Sequence, residues 1–197
     1  MAGKSKENRM SLLLQELEPI LAEIDRRKGR SGRSKPYGPS SEADIAAAEK
    51  RLKFKFPPSY TEFLQLHNGW DGFNGGDIAV MGVSGPGYKK PLAQWKADLA
   101  MFQKAFRRRG REYAEELREN SKQDADVIYV PEHIPFATNY NGDWWVFDQN
   151  RKLSAGEYEI ARVAHGQDVE YREKNFHAFV EDNVHRVRGK LGKLGDK

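Results

Sequence analysis

The chain has 197 residues, 38% of them apolar and 31% charged, which is enough for one domain with a buried core and terminal extensions. No stretch approaches the roughly 18 apolar residues of a membrane span, and Glu16, Glu18 and Glu23 follow the basic opening where a secretory leader would be apolar. Cysteine is absent, which excludes disulfides, thiol catalysis and thiolate-bound metals, so the expected compartment is the cytoplasm. The net charge of +4 is segregated: residues 1–38 carry +4 and 187–197 carry +3, leaving 39–186 at −3. Setting aside the +3 segment 92–122 leaves −6, an acidic body suited to a basic partner.

Leu13, Leu17, Ile20, Leu21 and Ile24 recur at helical spacing, with Pro19 expected to kink or restart that N-terminal helix. Residues 29–40, rich in Gly, Ser and Pro, read as a flexible linker, so 1–38 is taken as a basic extension, 39–187 as the domain and 188–197 as a basic tail. Ser41, with Glu42 and Asp44 behind it, reads as a capped helix start that continues through Ile45, Ala48 and Leu52. Pro57 and Pro58 pre-set a second helix carrying Tyr60, Phe63, Leu64 and His67, with Asn68-Gly69 as a left-handed stop. A short strand is predicted over Ile78–Val83 and a loop over Ser84–Lys90. Leu92, Trp95, Leu99, Phe102, Phe106, Tyr113 and Leu117 then keep a helical spacing through 92–122.

The period changes afterwards. Val127–Val130, Ile134–Thr138, Trp144–Phe147, Tyr158–Ala164 and Val169–Tyr171 are short, β-branched or aromatic runs that predict strands, and Asn141-Gly142 predicts a tight antiparallel hairpin. Phe176, Phe179, Val180, Asn183, Val184 and Val187 predict a closing helix. Helices first and a sheet later make the expected fold class α+β: a mostly antiparallel sheet with surrounding helices, in a single domain with a helical insertion at 92–122.

Motifs for chemistry are missing. The glycines of 82–87 match no phosphate loop or nucleophile elbow, and the five histidines include no His-Glu-x-x-His pair. Asp71–Asp77 lacks an oxygen ligand at its third position, where Phe73 stands, and a hairpin turn accounts for Asn139, Asn141 and Asp143 better than a calcium loop does. Asp71, Asp77, Asp143 and Asp148 adjoin aromatic residues, but nothing in the sequence unites them for acid–base work. Trp144 and Trp145, adjacent on a strand, must face opposite ways, one into the core and the other under a helix or in a surface patch. With Arg107, Arg108, Arg109 and Arg111 they are also the candidates for stacking on and neutralising RNA.

Residues 41–69 resemble the opening of the SUKH superfamily (Smi/Knr-type): Ile45, Glu49, Leu52, Phe56-Pro57, Tyr60, Phe63-Leu64 and Asn68-Gly69 fall in its pattern, with Phe56 in place of the usual leucine. Ile134–Ala137, Asn141–Asp143, Trp145–Asp148 and Phe176–Val180 are similar to its second half, so the resemblance spans roughly 40–185. It implies an α+β fold without a catalytic residue set and, for bacterial members, an immunity protein that neutralises a cognate polymorphic secreted toxin in the cytoplasm. Fungal relatives imply the alternative, a protein-interaction scaffold in cell-wall synthesis and signalling; an RNA-binding module is a third reading. The expected partner is the cognate toxin protein, with no enzyme activity, cofactor, metal, small-molecule substrate or membrane, and no nucleic acid. The candidate contacts are Trp70, Asp71, Phe73, Asn74 and Asp77 after the second helix, with Asp143, Trp144 and Asp148 from the hairpin.

Overall fold

A computed structural model describes residues 8–30, 32–85, 87–98, 100–101, 133–163 and 169–195, the side chains of 169–172 excepted. Helix α1 (Arg9–Arg27) is capped by Asn8, whose side chain accepts the Met10 N–H at 2.9 Å. It runs unbroken through Pro19, at an exposed position where solvent can serve the carbonyl that loses its helical donor. Its apolar stripe of Met10, Leu14, Leu17, Leu21 and Ile24 is buried in the same core as the helices and sheet of 39–187.

The segment expected to be a flexible linker is built into the sheet. Strand β1 (Lys35–Pro36) pairs antiparallel with β2 (Trp70–Asp71). Around it, Ser34 N–H donates to Asp25 Oδ2 at 2.7 Å, Trp70 Nε1–H to Ser34 Oγ at 2.8 Å, and Asn68 N–H to the Gly38 carbonyl at 2.8 Å. Composition misread this stretch because its order comes from pairing with residues more than thirty positions away.

Helix α2 (Glu42–Leu52) starts as predicted, with Ser41 Oγ accepting the Asp44 N–H at 3.1 Å. The Glu49 carboxylate leaves its exit face to accept the Phe56 N–H at 3.0 Å, which ties the α2–α3 connection. Helix α3 (Pro58–Leu66) begins at Pro57-Pro58 without a capping side chain of its own. Glu157 supplies the cap from elsewhere, accepting the Ser59 N–H at 2.9 Å and the Ser59 hydroxyl at 2.7 Å. Asn68 is not a left-handed stop: α3 ends at Leu66 and His67 is extended. Asn68 instead accepts the Val83 N–H at 2.7 Å, and a Cβ on Gly82 would stand 2.3 Å from the Asn68 carbonyl, so this approach needs glycine.

Strands β3 (Ala79–Val80), β4 (Ile134–Thr138), β5 (Trp144–Lys152), β6 (Tyr158–Val163) and β7 (Val169–Glu173) complete an antiparallel sheet ordered β1 to β7, each strand beside the next in sequence. The predicted strand over 78–83 is shorter than expected, and that over 127–130 lies outside the described residues. A helix, α4, covers 87–98 and continues at 100–101, so it starts before residue 92; the remainder of the predicted helix lies outside the described residues. Helix α5 (Phe176–Lys193) closes the fold, with Asn175 Oδ1 accepting the Ala178 N–H at 3.0 Å.

Two cores result. On one face, α1, α2, α3 and α5 bury Phe63, Phe136, Phe147, Phe176 and Phe179 around Tyr60, whose hydroxyl donates to the Met81 carbonyl at 2.7 Å. On the other, Tyr88 and Trp95 of α4 pack on Met81, Trp144, Val146, Ala161 and Val163. The two-residue period of β5 sends Trp144 and Val146 to α4 and Trp145 and Phe147 to the larger core, which places the tryptophan pair as its alternation required. The Arg9–Glu181 and Arg188–Glu16 ion pairs, with Arg27 donating to the Gly195 carbonyl, show that α1 and α5 run parallel.

Candidate partner-binding cleft

The loop after β2 and the β4–β5 turn meet at one end of the sheet around a cleft of about 700 Å³. Asp71 comes from the end of β2, Gly76 and Asp77 from the loop after it, Asn139, Tyr140 and Asn141 from the turn, Lys89 and Lys90 from the start of α4, and Arg33 and Tyr37 from the strap that carries β1. The strap crosses closely: Gly72, at φ +68°, lies where a Cβ would stand 2.6 Å from the Arg33 carbonyl.

The turn is not the two-residue hairpin expected at Asn141-Gly142. Thr138 pairs with Trp144, leaving five residues between, and the positive φ angles fall on Tyr140 (60°) and Gly142 (93°). Asn139 Oδ1 accepts the Asn141 N–H at 2.9 Å and the Asp143 N–H at 3.3 Å, so a side chain reinforces the backbone bond from Asn139 N–H to the Asp143 carbonyl and the turn presents Tyr140 outward. Lys90 sits over the Tyr140 ring at 4.7 Å.

The eight candidate contacts divide by burial. Asp77 is exposed and Asp71 and Asn74 are half-buried; Asp71, at the end of β2, and Asp77 line the cleft, and Asn74 stands in the loop between them. Asp71 Oδ2 accepts the Tyr37 hydroxyl at 2.6 Å; this bond, then burial, pushes the Tyr37 phenol up to about 12. Burial and the Asp71 charge raise Tyr140 as well, so both rings stay neutral donors at ordinary pH. Asn74 Oδ1 accepts the Ile78 N–H at 3.1 Å, holding the loop's shape.

Trp70, Phe73 and Trp144 are wholly buried, and Asp143 and Asp148 nearly so. Trp70 and Phe73 pack edge to face in the larger core, where Asn183 Nδ2 holds the Phe73 carbonyl at 2.7 Å. Trp144 faces Trp95 at 5.2 Å and donates from Nε1 to Asp98 Oδ2 at 2.9 Å. Asp143 receives Arg162 Nη2 at 2.7 Å and Asn139 Nδ2 at 2.8 Å, while Asp148 lies 3.7 Å from buried His133. Of the eight expected contacts, only Asp71, Asn74 and Asp77 keep side-chain surface open, because large apolar groups and internally paired carboxylates gain more from the interior than from a free surface.

The expected acidic face changes too: Arg33, Lys89 and Lys90 line the same cleft as Asp71 and Asp77, so it carries both signs. Residue patterning missed Arg33, Tyr37, Lys89 and Lys90, since 29–40 and 84–90 read only as loops. An aromatic residue in the Asn-Tyr-Asn-Gly turn was the available signal for Tyr140. Among the described residues, no helix is long and apolar enough to cross a membrane, and no group of three His, Cys, Asp or Glu is placed to hold a metal.

The family model described as SMI1 / KNR4 family (SUKH-1) matches residues 39–182. No curated protein matches the chain. With well over half of its length matched, the chain belongs to the SMI1 / KNR4 (SUKH-1) family.

Proposed function

Starting from membership of the SUKH-1 family, we propose that this chain is a non-catalytic immunity protein that binds and neutralises a cognate polymorphic secreted toxin in the cytoplasm, using the cleft between the 71–77 loop and the 139–141 turn. The observation that carries this reading is the cleft itself: four separated segments converge on a concave surface with charges of both signs and two neutral phenols. Such a surface suits a protein partner, because rigid aromatic groups give contact area at low entropic cost while paired opposite charges set register and speed encounter. Its polar groups serve recognition and the fold: Asp71 is held by Tyr37, and Asn139 builds the turn.

The experiment is a tagged pull-down from nuclease-treated native lysate, with bound proteins identified by mass spectrometry, repeated with Asp71→Asn/Asp77→Asn. One stoichiometric partner, toxic when expressed alone and silenced by this chain, is the expected result. In the double variant its association rate at low salt should fall by roughly ten-fold, with a smaller loss at high salt. Recovery of several signalling or cell-wall proteins would replace immunity by a scaffold role, and a partner bound equally well by the double variant would remove the cleft from the interface.

A further inference from the structure

The half-buried charge of the cleft is an anion, and its cations are exposed. Asp71 lies beside two phenols: its Oδ2 accepts the Tyr37 hydroxyl at 2.6 Å, and its charge acts on Tyr140 as well. Its Oδ1 has no partner among the described residues and is not closed to solvent, so one carboxylate oxygen opens into the cleft unused. Arg33, Lys89 and Lys90 line the same cleft and are all exposed, as is Asp77.

Both rings already seat a cation. Lys90 Nζ lies 4.7 Å from the centre of the Tyr140 ring, and Lys35 Nζ lies 5.6 Å from that of Tyr37. These lysines are exposed and flexible, so either can swing into water and leave its ring to another cation. Tyr37 itself is fixed, with its hydroxyl on Asp71 and its ring edge over Gly87, where a Cβ would stand 3.2 Å away. Tyr140 is held where local preference would not put it. Its φ of 60° lies in the left-handed region, which glycine and asparagine adopt readily and a bulky aromatic residue does not, and the residue is exposed. A strained, exposed tyrosine costs the fold stability, whereas tyrosines that present a fixed ring to a partner are among the strongest interface anchors.

We propose that the partner seats an arginine in this cleft, its guanidinium hydrogen-bonded to Asp71 Oδ1 and stacked on the Tyr140 ring in place of Lys90, with acidic residues beside it facing Lys89 and Lys90. Arginine suits the site better than lysine, because its flat guanidinium offers donors at the edge and a face to the ring at once, and is the more weakly hydrated cation. Acidic neighbours answer the exposed lysines, which would otherwise repel the arginine. A nucleic acid fits less well: its phosphates suit Lys89 and Lys90, but it brings no cation to Asp71 and sets like charges beside it. This proposal deepens the immunity reading by naming what the partner inserts, and it rests on that reading for the partner's identity.

The test is fluorescence anisotropy of the full chain with a labelled dodecapeptide in which one Arg stands between two Glu in a Gly/Ser background. Matched peptides carry Gln or Lys in place of the Arg, or Gln in place of both Glu, and a single-stranded RNA 12-mer is the remaining probe. The Arg peptide should bind at least about five-fold more tightly than its Gln counterpart and more tightly than the Lys peptide, the Glu-free peptide or the RNA. Asp71→Asn, which keeps an acceptor for Tyr37, should remove the preference for Arg over Gln. Tyr140→Gly, which suits the left-handed backbone, should weaken the Arg peptide at least about three-fold while Tm stays level or rises. Equal binding of the Arg and Gln peptides by the unaltered chain, a preference that survives Asp71→Asn in a variant shown folded by its melt, or tighter binding of RNA overturns the proposal. So does Tyr140→Gly lowering Tm without weakening the peptide, which would make the ring a structural group. Arg-selective binding with no toxin captured from lysate keeps the subsite and removes the immunity reading; toxin capture without Arg-selective binding does the reverse.

Discussion

Replacing Trp144 with Phe separates two roles for this residue, partner contact and attachment of α4 to the sheet. The indole is wholly buried, its Nε1–H donates to Asp98 Oδ2 at 2.9 Å, and Asp98, itself buried, takes its other hydrogen bond from Gln94 Nε2 at 2.7 Å. Phe removes the donor from a buried carboxylate, a loss of about 1.5–3 kcal/mol, and leaves a small void under Trp95 worth about 1 kcal/mol more. For a domain of this size each kcal/mol moves the melting temperature by about 2–4 °C, so Trp144→Phe should lower Tm by about 5–16 °C. A double-mutant cycle with Asp98→Asn, measured by urea denaturation, should show a coupling of about 1–2 kcal/mol. Affinity for any captured partner should not change. A Tm shift below about 1 °C, or a coupling under about 0.5 kcal/mol, would refute the placement of α4 on this face.

Glu157→Ala should cost about 1–2 kcal/mol, read as a Tm lower by about 2–8 °C, because α3 starts on proline and depends on this distant carboxylate for its cap; an unchanged Tm would mean that solvent serves Ser59 equally well. Burial lowers the His67 pKa from 6.5, outweighing the Tyr37 carbonyl and the Glu18 charge. The unfolded chain then binds more protons than the folded one between that lowered value and 6.5, so stability should fall as pH drops through this window and level off below it. His67→Gln should flatten the slope of unfolding free energy against pH there, and an identical slope would assign the effect to other groups.

The residues that announce the family have local structural work, which explains why they could be recognised in the chain alone. Ser41, Glu49, Pro57-Pro58 and Asn68 each bond or pre-set backbone within about fifteen residues, and the aromatic face of α3 follows a 3.6-residue period that any buried helix must keep. Strand alternation likewise assigns Trp144 and Trp145 to opposite faces from the sequence alone, since the period of two is a property of the backbone.

What the sequence by itself determined was the α+β class, the main helices and strands of the second half, and the loop from which Asp71, Asn74 and Asp77 come. The tertiary structure alone decided that α1 joins the core, that residues 35–36 form an edge strand, and that Trp70, Phe73, Trp144, Asp143 and Asp148 turn inward. It alone brought Arg33, Tyr37 and Lys90 to the cleft. The reason is range: helical period, capping and strand alternation act over a few residues, whereas burial and charge pairing depend on contacts such as Tyr37 with Asp71 or Asn183 with Phe73, whose partners stand 34 and 110 positions apart.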